Sequence, residues 1–300
     1  MDIRVILNGK KAGLEPVRSA IFSARESGRV EVRVTWEAGD VSRLVKEACA
    51  EGCTRLVAGG GDGTVNEVTD ALLQLPIAER PELAVLPLGT ANDFATGCSI
   101  PTEPLAALEL AQSAQSYAVD AVSANEYHFI NVASGGFGAQ VTANTPVAMK
   151  NFLGGGAYTL SGLVQAVNFV PYHGAVRMPN ESLQNNDVIV GAVCNGRQAG
   201  GGQQLAPTAL INDGLLDIVA LYHFPPEALG QVIKELTETE ANGDYVKRFR
   251  VPWAEWESDV EMPINLDGEP IKTNNIRFEV LLGAIKLVLP ENCPLITSNS

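Results

Sequence analysis

The run Leu56-Val57-Ala58-Gly59-Gly60-Gly61-Asp62-Gly63-Thr64-Val65-Asn66-Glu67-Val68 leaves the chain few folds to choose from. A short apolar stretch, the pattern of a buried strand, passes through four glycines in five positions. It opens onto Val65, Val68, Leu72 and Leu73, which are spaced for an amphipathic helix. The unit is therefore strand, loop, helix. Glycine has no Cβ, so such a loop can take positive φ and bring backbone N–H groups close to an anion, while the helix start adds unsatisfied donors and a positive dipole end. Phosphate suits it. The run is not a Walker loop, since it has no lysine, nor a dinucleotide fingerprint, since Thr64 or Asn66 stands where the last glycine belongs. Asp62 is out of place among phosphate-facing amides unless it works through a metal ion, a water, or a hydroxyl about to attack phosphorus. A tight turn with packing glycines is the plainer alternative.

Around this run, strand and helix alternate. Ile3 to Leu7 reads as a strand ending at Asn8-Gly9, followed by a helix from about Leu14 to Ser27. Val30, Val32, Val34 and Trp36 alternate as a second strand with Thr35 at its exit, and Asp40 or Ser42 can cap a helix carrying Val41, Leu44, Val45 and Ala48. Beyond the glycine loop, Glu82 to Pro87 makes a fourth strand, Gly89 to Ala95 a second polar loop, and Pro104 opens a further helix. This order predicts a doubly wound parallel sheet over residues 1–118, whose ligands bind at the carboxyl ends of its strands. From Val119 to about 289 the pattern changes to short alternating runs divided by turn residues, an antiparallel all-β domain. Helical sequence interrupts it at Ala157 to Val167 and Glu227 to Leu236.

Three loops in the second half are too polar and glycine-rich for plain connectors: Ser134 to Gly138, Asn195 to Gly202, and Asn212-Asp213-Gly214. The last could hold a hard cation with one carboxylate, backbone carbonyls and water, or could be an Asx turn. Leu266-Asp267-Gly268-Glu269 is a hairpin signal that places a carboxylate just after the turn.

Composition narrows the partners. A formal charge of −14 disfavours binding to nucleic acid or adhesion by bulk charge to an anionic membrane, so any lipid contact has to be local and apolar. The five cysteines have no Cys-x-x-Cys spacing and the three histidines are scattered, which speaks against a zinc site and for reduced thiols in the cytoplasm. No signal-peptide pattern opens the chain, and no apolar run reaches the roughly 18 residues of a membrane span.

In order, Gly60-Gly61-Asp62-Gly63-Thr64, Pro87 to Ala95, Asn212 to Asp217 and Leu266 to Glu269 resemble the diacylglycerol kinase catalytic family. Leu7-Asn8-Gly9-Lys10, Val34-Thr35-Trp36-Glu37 and Asn195 to Gln204 point to its bacterial YegS-type lipid kinases. The resemblance implies an α/β nucleotide domain, rejoined by the tail at 290–300, and a β-sandwich lipid and metal domain at 119–289. It implies transfer of the γ-phosphoryl group of ATP to a lipid hydroxyl, phosphatidylglycerol being the acceptor suggested, by a cytoplasmic enzyme peripheral to the inner membrane while acting. Carried over by position, Thr35, Gly61, Asp62, Gly63, Thr64, Val65, Asn66, Glu67 and Thr90 would contact ATP. Leu210 and Leu215 carbonyls with the Asp213 carboxylate would hold Mg2+, with Ca2+ as the second choice, and Glu269 would accept the proton. Asp62 joins the catalytic set on its own chemistry, with a second magnesium expected near Asp62 and Asp93. Two rivals stand beside this reading: a soluble-substrate kinase of the NAD-kinase type, and a nucleotide- or lipid-sensing module without turnover.

Overall fold

The computed structural model describes residues 2–136, 169–179, 184–238 and 242–297. The chain divides into two compact units. One comprises Met1–Ala121, Ile211–Asp213 and Leu281–Ser300, the other Val122–Leu210 and Gly214–Val280.

In the first unit the strands β1 (Ile3–Leu7), β2 (Val30–Val34), β3 (Arg55–Gly60) and β4 (Glu82–Pro87) are parallel in the order β4-β3-β1-β2. β1 and β3 are buried at every residue, as continuous apolar runs require when both sheet faces are covered, whereas Val-Glu-Val-Arg-Val at the β2 edge is only partly buried. Helices α1 (Glu15–Ala24) and α5 (Pro104–Ser113) pack on each other, and Val17, Ala20, Ile21, Ala107, Leu108 and Ala111 join the core formed by Ile3, Val5, Leu7 and Val57. α2 (Asp40–Ala50) and α3 (Asp62–Leu73) make the second pair, and α4 (Asp93–Gly97) is a single short turn after β4. The free edge of β4 is taken by a late stretch of chain, Leu287 pairing in parallel with Leu83.

The second unit, which takes up the chain at Val122 within β5 (Ser116–Ala124), is antiparallel and β-rich; the last three residues of β5 pair with β6 (Tyr127–Phe129) as a hairpin. β7 (Val132–Gly136), β8 (Tyr172–Arg177), β9 (Gln184–Cys194), β12 (Leu216–Tyr222) and β13 (Val246–Val251) follow, besides a minor ribbon of β10 (Gln198–Ala199) and β11 (Gln203–Gln204). β14 (Trp253–Leu266) and β15 (Glu269–Val288) close the set, with an irregularity between Glu257 and Met262. β9 and β14 each pair with β8 over one half and β7 over the other, so both strands bend around a shared core of Phe129, Val193, Trp256, Ile264 and Phe278. Helix α6 (Leu229–Thr237) is pinned by Glu235, which accepts the N–H groups of Asp244, Tyr245 and Val246.

The short runs expected across the second half need correction in two places. Around Gly283 the chain is one long strand, β15: Gly283 does take positive φ, but its N–H bonds Asp120 Oδ1 at 2.8 Å and the strand runs on through the kink. β13 and β14 were not expected, because dense charge hides the inward alternation of Ala254, Trp256 and Ser258. The helix expected at Ala157 to Val167 lies outside the described residues.

Candidate active site

β3 delivers the glycine loop to the carboxyl edge of the first unit's sheet, and α3 starts at Asp62. Thr64 and Val65 already donate to Gly61 O at 3.0 and 3.1 Å, and no side-chain oxygen caps the helix. An anion is the fitting acceptor for the remaining first-turn N–H groups. None of Gly59, Gly60, Gly61 and Gly63 takes positive φ, contrary to the expectation from glycine content; Gly61 is extended at φ −92°, ψ −170°. Space is what requires glycine here. A Cβ on Gly60 would lie 2.2 Å from Thr64 Oγ1, and one on Gly89 would lie 2.6 Å from Gly61 Cα. The two polar loops therefore touch backbone to backbone, which brings the exposed Thr90 beside the glycine loop.

Asp62 is not a bare carboxylate in this loop. Its Oδ1 accepts the Phe94 N–H at 3.1 Å, fastening the start of α4 to the start of α3. Burial pushes its carboxyl above the usual carboxylate range, and the neighbouring Asp93 charge adds to this, against the lowering effect of the Phe94 bond. A carboxyl raised by burial and a like charge is an unusual component for a merely structural loop. The pair fits a divalent cation in chemistry, while no cluster of three or more His, Cys, Asp or Glu side chains gathers among the described residues.

The other predicted nucleotide contacts of this unit converge at the ends of β1 and β2. Asn8 Nδ2 donates to Thr64 Oγ1 at 3.3 Å, its N–H bonds Gly59 O at 2.8 Å, and the Gly9 N–H donates to Thr35 Oγ1 at 3.3 Å. A cavity of about 590 Å³ opens there, lined by Asn8, Lys10, Thr35, Trp36 and Glu67 among others. Lys10 is the one cation among its described lining residues. Val65 and Asn66 are buried in the first turns of α3, and Asn66 Oδ1 has no hydrogen-bond partner among the described residues. In the sequence Lys10 and Trp36 stand out only as parts of motifs. Asp40 is not the cap of α2 as read, since Gly39 occupies that place; its carboxylate reaches back to the N–H groups of Trp36 at 2.7 Å and Glu37 at 3.1 Å.

In the second unit the Asp-Gly hairpin is present. Asp267 and Gly268 both take positive φ, as a two-residue turn requires, and Glu269 is the exposed first residue of β15. Asp267 fixes this turn: its two carboxylate oxygens accept the N–H groups of Ile130, Asn131 and Val132 at 2.8, 3.0 and 2.7 Å. Asn265 Oδ1 adds a bond from the Gly268 N–H at 2.7 Å. Asn131 continues to the Asn195 to Gly202 loop, donating to Gln198 O and accepting from the Asn195 and Gly196 N–H groups. Arg197, the cation of that loop, donates to Ala209 O at 2.9 Å. Of the magnesium turn, Asn212 exchanges side-chain hydrogen bonds with Thr297 and Gly214 takes positive φ, an arrangement that also serves a plain turn. Leu210 and Leu215 flank it in the chain.

Comparison with known proteins covers both units. The family "Diacylglycerol kinase catalytic domain" matches residues 2–124, and "YegS C-terminal NAD kinase beta sandwich-like domain" matches residues 131–289. A Shewanella frigidimarina protein named "Probable lipid kinase YegS-like" is 48% identical over 300 residues, 99% of this chain and 97% of that one. One of the same name from Chromohalobacter salexigens is 48% identical over 298 residues, 99% and 96% of the two chains. A crystal structure of a diacylglycerol kinase from Bacillus anthracis str. Sterne superposes with a TM-score of 0.75 at 22% identity, covering 97% of this chain and 98% of its own; at that identity the likeness speaks for the fold.

Proposed function

Because the chain belongs to the diacylglycerol kinase catalytic family, in its YegS-like branch, we propose that it transfers the γ-phosphoryl group of ATP to a hydroxyl of a glycerol-type lipid. The observation that carries the lipid half is an apolar cavity of about 90 Å³ inside the second unit, lined by Ala133, Val193, Ile218, Tyr222, Trp256 and Ile264 among others. A soluble dinucleotide would find almost no polar partner in it, whereas an acyl chain finds the surface it needs. This favours a lipid over the acceptor of an NAD kinase. The phosphate half rests on the uncapped α3 start and the close glycine loops, with Thr35, Thr64 and Thr90 near the nucleotide and Lys10 beside its phosphates.

Phosphoryl transfer passes through a loose transition state, so positioning and charge neutralisation do most of the work. The first-turn N–H groups of α3 that Gly61 O leaves over hold the anion, and Glu269 takes the proton of the acceptor hydroxyl. Asp62 and Asp93 would hold a divalent cation, which when bound neutralises charge on the phosphoryl oxygens. Asp213 with the Leu210 and Leu215 carbonyls would hold another. Phosphatidylglycerol is the acceptor we put first, reached by a transient contact with the membrane surface; no described helix is long and apolar enough to cross one. The test is to incubate pure protein with labelled ATP, magnesium and, separately, fractionated lipid extract and NAD. Label in a lipid supports the reading, label in NAD alone replaces it with the dinucleotide kinase, and ATP binding without any transfer replaces it with the sensing module.

A further inference from the structure

Trp36 is 92% exposed, more than any other large apolar side chain among the described residues. An indole left in water forgoes a burial that most tryptophans obtain, so its position asks for a ligand or a partner. Its backbone is held firmly. Asp40, 7% exposed, accepts the Trp36 and Glu37 N–H groups on one oxygen and an Arg43 N–H at 2.6 Å on the other. On the preceding side Thr35 donates its N–H to Leu7 O at 3.0 Å and accepts the Gly9 N–H on its hydroxyl. The loop is thus fixed at both flanks of a residue whose ring is bare.

The ring stands at the rim of the 590 Å³ cavity, with Val34, Ala38 and Val41 as apolar neighbours in the lining. The same cavity reaches Glu67 on α3, and Asn8 beneath it bonds Thr64 of the phosphate loop. A nucleotide with its phosphates on that loop therefore has its far end in the space beside Trp36. We infer that Trp36 is the aromatic platform on which the nucleobase of the donor stacks, its loop held in place by Asp40. The inference deepens the proposed function and rests on this cavity being the nucleotide pocket.

Stacking reads the face of a base and leaves the phosphates alone, which gives the test its shape. Trp36→Ala should raise KM for ATP about ten-fold, in the range of one base–aromatic stack, with kcat at saturating ATP within about two-fold of the parent. Inhibition by inorganic triphosphate, which has no base, should stay as in the parent, and Trp36→Phe should recover most of the lost affinity. An unchanged KM in Trp36→Ala, or equal weakening toward ATP and triphosphate, overturns the platform. So does a normal KM accompanied by lost sedimentation with anionic vesicles, which would make Trp36 a membrane contact. Lys10→Gln separates the two levels of the argument. If it raises KM for ATP while Trp36→Ala does not, the pocket stands and the platform falls; if neither variant moves KM, the pocket itself has been misplaced.

Discussion

Asp62→Asn should abolish most turnover while leaving stability almost where it was. The carboxylate accepts backbone N–H groups, that of Phe94 at 3.1 Å among them, while burial and the Asp93 charge oppose its ionisation. Asparagine keeps an oxygen for the Phe94 N–H and changes a charged acceptor into a neutral one, a loss of about 1 kcal/mol. It also removes a buried charge next to another, which offsets that loss. The net change in unfolding free energy should then lie within about 1 kcal/mol of zero, on either side. Asp62→Ala is the contrast, because it leaves the Phe94 N–H unpaired and should cost about 1–3 kcal/mol. Urea titrations at pH 7 with matched slopes compare the three proteins, and labelled-phosphate transfer at saturating ATP gives turnover. We expect kcat to fall by about 10²–10⁴-fold in both variants. Because the carboxyl is raised in the folded protein, the parent should lose stability relative to Asp62→Asn as pH rises through that carboxyl's titration. Near-parental turnover in Asp62→Asn, or a stability loss as large as that of Asp62→Ala, would refute the assignment of Asp62 to chemistry.

Three more outcomes are expected. Glu269→Gln should lower kcat toward the smaller end of about 10²–10⁴-fold, leaving KM for ATP unchanged; a parental kcat returns Glu269 to the hairpin. Asp213→Ala should shrink the rise in melting temperature that magnesium or calcium gives the parent, and an equal rise in both proteins would make residues 212–214 a turn and nothing more. Burial works to raise the Glu235 carboxyl, but the N–H groups of Val246, Tyr245 and Asp244 and the Gln231 amide outweigh it and hold it below the ordinary value. Its contribution is therefore complete above the ordinary glutamate range and is lost as pH falls through the depressed one, so urea midpoints of Glu235→Gln should decline less on acidification than those of the parent, and parallel declines would disprove the linkage.

What the sequence reveals and what it hides differ in physical kind. The parallel sheet was legible because β1, β3 and β4 are buried on both faces and so read as unbroken apolar runs, and the glycine loop because four glycines so close together serve few purposes. The Asp267-Gly268 turn was legible because positive φ at two successive residues selects that dipeptide. Long-range pairings left no local signal. Nothing in residues 128–134 announces that the Ile130, Asn131 and Val132 N–H groups belong to Asp267, and nothing in Gly61 names Gly89 as its neighbour. Asp40 misled for a related reason, since an acid at a helix start reads as a cap whichever way its carboxylate turns.

The pairing of Leu287 with Leu83 has a bearing on how the protein is made. The first unit draws on Leu281–Ser300, where Leu287, Val288, Leu289 and Leu295 are buried, yet the rest of that unit has left the ribosome by Ala121 apart from three residues. At ordinary elongation rates the roughly 160 residues in between take about 10–30 s to synthesise. Throughout that interval the outer edge of β4 is an unpaired strand, open to trigger factors, proteases or a second nascent copy. A fragment ending near residue 121 would carry the whole glycine loop and still keep that edge for good, so a soluble nucleotide-binding half is to be sought by grafting residues 281–297 onto it, as a circular permutant, and not by truncation.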